Sequence, residues 1–271
     1  MKDPTKTIVL RNKAARQIDV RFNRIKRAVR SAFTKGKLLT NISLARDGEF
    51  EFTRDGDKVA EFQAFLQKQI DDEILRIETL TVTQRDLENH WLNRSVGEGY
   101  RRGAVKSRLA VERGLPNIAK LPSYNPFANP AHVERAELIF QRVYEDLEGV
   151  TQVMSKQMSR ILSEGIVRGD NPKEVAEAML DRVDKIGKTR AKLIARTEII
   201  ESHNIASIKE AELLESETGV EIKMEWVTAL DGRQRHSHEA RNGNIYTKEE
   251  VQKLIGEPNC RCNVTPYIQV D

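Results

Sequence analysis

Cys260 and Cys262 are the only cysteines among 271 residues, one position apart in "EPNCRCNVTP". Upstream, "LDGRQRHSHEARNG" supplies His236 and His238, two of the five histidines. Two thiols and two imidazoles make the tally of a tetrahedral zinc site. Structural zinc knuckles, however, normally separate their cysteines by two to four residues. On a strand, residues i and i+2 share a face, so the two pairs converge only if both segments are extended and adjacent. The competing reading is a buried cysteine pair, packed as small apolar residues beneath Trp226. A Cys260–Cys262 disulfide is disfavoured, because residues two apart on a strand lie near the limit of bridging separation.

Catalysis makes different demands on the same residues. A zinc deaminase needs His-x-Glu followed by Pro-Cys-x-x-Cys, and "HSHE" with "PNCRC" fails both. A metal-dependent nuclease would hold a divalent ion with Asp231, His236, His238 and Asn242 and activate water on a phosphodiester. Against it, no carboxylate pair sits beside these residues, which also read as a polar loop around a turn. No phosphate-cradling glycine loop and no serine elbow is present.

The surrounding pattern supplies the elements that must position these groups. Ile222, Met224 and Trp226 alternate along a strand that ends at the Asp231-Gly232 turn. Thr247 with Glu250 caps the short helix "KEEVQKLI", and "CRCNVTPYIQV" returns as a second strand. Everything before Gly219 is mostly helical. The stripe Val59, Phe62, Leu66, Ile70, Ile74, Ile77 marks one long amphipathic helix, and Ile139, Val143, Leu147, Val150, Met154, Ile161 another. Thr83 and Asp86 look like a helix start. Gly97, Gly99 and Gly103, costly inside a helix, point to a break or a close backbone approach. Asn171, Pro172 and Glu174 are arranged as a capping box, and Gly187 reads as the end of the helix they open. "ISLARDGEFEF" alternates about Asp47-Gly48 as a short hairpin.

The expected fold is therefore mainly α, long amphipathic helices with a small α+β C-terminal unit. The expected organisation is a basic helical arm (1–37), a helical region with a hairpin (38–114), a Pro-rich linker or draped loop (115–132), a helical part (133–218) and the small unit (219–271). Residues 1–37 carry twelve Lys/Arg against Asp3 and Asp19, a net +10 in a chain whose total is +4. That asymmetry suits a polyanion or an acidic protein surface, with Arg16, Arg21, Arg24, Lys26, Arg27 and Arg30 as the binding cations. The same segment also reads as a solvated amphipathic helix, since Ile18, Phe22, Ile25 and Val29 recur at helical spacing. No apolar run approaches the roughly 20 residues of a membrane span. The N-terminus lacks the apolar core of a secretory signal, so synthesis in a reducing cytoplasm is expected.

The order of the pieces carries more than any one of them. "LIARTEIIESHNIASIKEAE", then "EWVTALDGRQRHSHEARNG", then "PNCRC" resembles the phage Mu F-like head morphogenesis family, the minor head proteins of tailed bacteriophages. The resemblance spans roughly residues 160–268. It rests on Ala195, Arg196, Thr197, Glu198, Asn204, Trp226, Asp231, Arg233, His238, Gly243, Asn259, Cys260, Arg261 and Cys262. It implies a non-enzymatic minor capsid protein that binds the portal and acts in head assembly, DNA packaging or ejection. Its place would be inside the virion head near the portal, after synthesis in the host cytoplasm. Implied partners are the portal, the major capsid or scaffold protein, and DNA through the basic segment. Relatives carry further Cys or His residues where this chain has Glu257-Pro258. Arg196, Glu198, Asp231 and Arg233 also read as a charge network pinning the strand unit to a helix.

Overall fold

The computed structural model describes residues 3–34, 42–44, 50–52, 55–77, 84–115 and 123–269; the Asp47-Gly48 turn and Thr83 lie outside them. Helices dominate: α1 (Ile8–Thr34), α2 (Asp55–Ile70), α3 (Asn93–Gly114), α4 (Pro130–Arg168), α5 (Pro172–Arg182) and α6 (Thr189–Thr218). A two-stranded pair, β1 (Ile42–Leu44) and β2 (Phe50–Phe52), lies between α1 and α2. The C-terminal unit runs β3 (Lys223–Val227), α7 (His236–Ala240), β4 (Ile245–Tyr246), α8 (Lys248–Leu254) and β5 (Asn263–Tyr267). The fold is mainly α with a small α+β unit at its C-terminal end. None of the described helices is long and apolar enough to cross a membrane.

The chain divides into two compact units that interleave its segments. One comprises residues 15–77 and 144–192; the other comprises 1–14, 78–143 and 193–271. In the first, most of the apolar stripe positions expected from the sequence are buried: Ile18, Phe22, Ile25 and Val29 of α1, Phe62, Leu66 and Ile70 of α2, and Leu147, Val150 and Met154 of α4, whereas Val59, Ile77 and Ile161 are only half-buried. The basic segment is thus a core helix. Gly187 does not end a helix. The chain passes from α5 through a π-helical turn, Val183–Lys188, directly into α6. A Cβ at Gly187 would stand 2.4 Å from the Phe22 ring, so the glycine makes room for packing. Asn171 does cap α5, accepting from Lys173 N (2.9 Å) with Pro172 behind it. The bond is a single cap rather than the reciprocal box.

In the second unit α3 and α6 run parallel and in close contact. The pairing advances together along both helices, from Gly99 against Ile199 to Gly103 against His203 and Ser107 against Ser207. The three glycines therefore break nothing: α3 continues through all of them, and their missing side chains let the two backbones meet. Ser202 Oγ donates to Val96 O and Ser107 Oγ to Ser207 O, satisfying the hydroxyls at the seam. His203 is buried there with neither ring nitrogen hydrogen-bonded, and burial pushes its pKa down to about 3, so it is neutral. Before α3 the chain forms a short 3-10 helix, Gln84–Asn89, so the helix start expected at Thr83 and Asp86 falls instead at Asn93.

The Pro-rich stretch ends in a built element. Its described part, from Ser123, contains a 3-10 turn at Pro126–Ala128 and the first turn of α4. Tyr124 and His132 both reach the buried Glu210 of α6; the His132 Nε2 contact is 2.8 Å. Arg108 of α3 joins Glu210 to Glu112 (3.2 and 3.1 Å), and Tyr100 OH meets His132 Nδ1 at 2.9 Å. This network holds residues 124–132 against α3 and α6.

Candidate functional site

The C-terminal unit is organised by β3, the middle strand of an antiparallel sheet with β4 and β5 on its two sides. Trp226 faces Val264 across the ladder and Glu225 faces Thr265, so the alternation of β3 buries Ile222, Met224 and Trp226 on one side. The turn between α7 and β4 explains one sequence signature: Gly243 has φ +81°, a region that favours glycine, and its N–H donates to Trp226 O of β3 at 2.8 Å. Thr247 and Glu250 make the reciprocal capping box that starts α8.

The segment bearing the cysteines is fastened to α6 by three residues of the same signature. Asn259 adopts φ +61°, its N–H donates to Thr197 Oγ1 (3.2 Å), and its Oδ1 accepts from Arg196 Nη1 (2.9 Å). Asn204 then pairs with the backbone itself, donating to Cys262 O (3.1 Å) and accepting from Val264 N (3.2 Å). Its amide thereby occupies hydrogen-bonding groups that an edge strand would otherwise leave open. Ser207 Oγ does the same at Val264 O. Glu198 has another role: it binds Arg142 of α4 at 2.6 Å, beside Glu201 at 3.0 Å.

His238, Cys260 and Cys262 come together as a buried triad with one ligand atom of each within 4.8 Å of the others. They are brought together by a helix, not by two extended segments. Residues 236–240 form α7, so residues two apart point to different sides. His238 turns inward, and His236 is exposed and outside the cluster. Both cysteines are free thiols. His238 Nδ1 lies 3.4 Å from Cys260 Sγ and 3.5 Å from Cys262 Sγ. Its Nε2 lies 3.1 Å from Glu257 Oε1, within ion-pair distance but not squarely aligned for a hydrogen bond. The hydrogen bond from Cys260 pushes the Cys262 thiol down, while that bond and burial push Cys260 up, so the pair ionises one sulfur at a time. Trp226 meets the His238 ring edge-on at 5.6 Å, and its Nε1 donates to Thr228 Oγ1. Thr228 in turn donates to His238 O at 2.7 Å.

The Asp231 turn is locked to the same segment. Arg261, between the two cysteines, grips Asp231 through both terminal guanidinium nitrogens, and Arg233 adds a contact of 3.1 Å. The Arg261 hydrogen bonds hold the Asp231 carboxyl well below its usual range. Beside it Leu230 stands exposed at φ +47°, a conformation that is an outlier for a branched apolar residue. Next to the triad lies a depression of about 160 Å³ lined by Arg233, Gln234, Arg235, Asn259 and the cysteine segment.

Each residue of the nuclease reading is engaged elsewhere or turned away. Asp231 is committed to two arginines, His236 is exposed, His238 faces sulfur, and Asn242 Oδ1 accepts from Thr228 N at 2.8 Å. The four residues do not converge on a common point. Sequence reasoning overlooked Thr228 and read Glu257 only as a missing ligand; both complete the surroundings of His238. It also missed the Tyr124, His132 and Glu210 network, because nothing in local spacing links positions so far apart. The cations of α1 divide: Arg21 and Arg24 reach Glu73, Lys26 reaches Asp184 and Arg30 reaches Glu177. Arg16 and Arg27 are exposed and make no ion pair among the described residues.

Residues 156–265 match the model of the family described as Phage Mu protein F like protein. No curated protein and no solved structure matches the chain.

Proposed function

We propose, for a chain whose residues 156–265 match the model of the Phage Mu protein F like family, the role of a minor head protein of a tailed bacteriophage. In this reading it is a structural component that binds the portal ring and acts in head assembly, DNA packaging or DNA ejection. It works inside the virion, close to the portal. The observation that carries the reading is what the family residues do: Arg196, Thr197, Asn204, Asp231, Asn259 and Arg261 tie the strand unit to α6 and to its own turn. Nothing in that set is arranged as nucleophile, base and acceptor. A scaffold that holds a turn so firmly suits docking, because a preformed surface loses little freedom on binding. The turn presents exposed Leu230 with Arg233, which also contacts Asp231, and Arg235, which pairs with Glu257; an apolar tip beside cations suits an acidic socket.

Co-expression with the portal protein of the same phage tests this. The tagged chain is expected to retain the portal ring on an affinity column, and Leu230→Asp with Arg233→Glu to release it while the circular dichroism is unchanged. A folded chain that never retains the ring sinks the proposal.

DNA is the second proposed partner, through α1. Deleting residues 1–37 would remove buried Ile18, Phe22, Ile25 and Val29 and so test folding instead of binding. The sharper variant is Arg16→Glu with Arg27→Glu. It is expected to weaken duplex binding and to reduce the slope of log K against log salt by about 2, one phosphate contact per arginine. An unchanged slope would leave the α1 surface without a role in DNA binding.

A further inference from the structure

We propose that His238, Cys260 and Cys262 form a zinc site with three protein ligands, whose fourth position is taken by solvent from the adjoining depression. The donor set is the first ground. Two thiolates and an imidazole favour zinc over magnesium or calcium, which prefer oxygen.

The geometry is the second. Metal–ligand bonds of about 2.05 Å to nitrogen and about 2.3 Å to sulfur, at tetrahedral angles, separate the two donors by about 3.6 Å. The Nδ1 to Sγ distances are 3.4 and 3.5 Å. The histidine has a carboxylate on its outer side as metal-binding histidines do: Glu257 Oε1 lies 3.1 Å from Nε2, while Nδ1 faces the two sulfurs. Cys262 N–H also points at Cys260 Sγ, 3.4 Å away, a contact that suits an anionic sulfur. Charge is the third ground. Two thiolates and one divalent cation sum to zero, which suits a cluster whose three residues are all buried.

The same geometry limits the ligand set. His236 is exposed, and Asp231 is held by Arg261 and Arg233. Neither supplies the fourth ligand. The open side faces the depression lined by Gln234 and Arg235, where water reaches the metal.

The test uses the full chain. Elemental analysis after exposure to zinc and removal of loose metal is expected to find about one zinc per chain. Cobalt in its place is expected to give sulfur-to-cobalt charge-transfer absorption with the intense visible bands of a four-coordinate ion. His238→Ala and Cys262→Ser should lose the metal and His236→Ala should keep it. Because a ligand variant could fail to fold, Glu257→Gln supplies an independent reading: affinity should fall by about 10-fold to 100-fold in a folded protein. Folded wild-type chain that takes up no zinc overturns the proposal. Loss of metal in His236→Ala equal to that in His238→Ala overturns the three-ligand set. Portal binding is read separately, by retention of the ring.

Discussion

Gly103→Ala is expected to unfold the unit built on α3 and α6, or to cost it more than about 3 kcal/mol, at the upper end of overpacking effects. In an exposed helix the same change would gain roughly 1 kcal/mol from helix propensity. Here a Cβ would fall 2.0 Å from His203 O and within 3 Å of two further backbone atoms of α6. No rotamer relieves a clash with backbone, so one helix must move away from the other. Separation would strain the hydrogen bonds from Ser107 to Ser207 and from Ser202 to Val96, which lie on either side of the contact. Gly149→Ala is the control. It lies in α4, exposed, with nothing within 4 Å of the added methyl, and should stabilise by about 0.5–1 kcal/mol. Thermal unfolding followed by circular dichroism reads both; equal small effects would contradict the close approach of α3 and α6.

Glu210→Ala should be nearly as damaging, at about 3–5 kcal/mol, because it strands charge instead of adding bulk. Glu210 is 1% exposed and accepts from Arg108, His132 and Tyr124. Without it Arg108 keeps Glu112 as its one carboxylate partner, and the imidazole and phenol lose their charged acceptor and are left with each other at 3.2 Å. Glu210→Gln keeps the volume and should fall between wild type and alanine. The segment carrying Tyr124 and His132 should become sensitive to protease in the alanine variant, a local readout that a general loss of packing would not single out. Wild-type stability in Glu210→Ala would show that the network contributes nothing.

What the sequence disclosed followed from periodicity and from special residues. The burial of Ile222, Met224 and Trp226, the box at Thr247 and Glu250, and the stripes of α1, α2 and α4 are written in spacings of two, three and four. Other features depend on partners remote in the chain. Gly187 carries the same local signal as a helix terminator, yet Phe22 is what requires it to be glycine. His236 and His238 share a face on a strand and part on a helix. The five residues of α7 are too few to show a helical period, and their conformation is held from outside by Thr228 at His238 O. Glu257 was legible only as a missing ligand; its placement at His238 Nε2 depends on the chain folding back from α8. Arg261 offered no hint that its partner was Asp231, thirty positions earlier.

The family residues therefore look different in three dimensions than in one. In sequence they invite a catalytic reading, with acids, histidines and cysteines near one another. In space most of them are fasteners: Asn204 on the backbone around Cys262, Arg196 and Thr197 on Asn259, and Arg261 on Asp231. What they secure is a turn whose exposed residues include Leu230, Arg233 and Arg235.

The most direct test is the mass of the complex. The chain and the portal ring of its phage, co-expressed and separated by size exclusion with light scattering, are predicted to elute together at a mass exceeding that of the ring alone. The Leu230→Asp, Arg233→Glu variant is predicted to leave the ring at its own mass. Elution of an intact ring and a folded wild-type chain as two separate species would contradict the account.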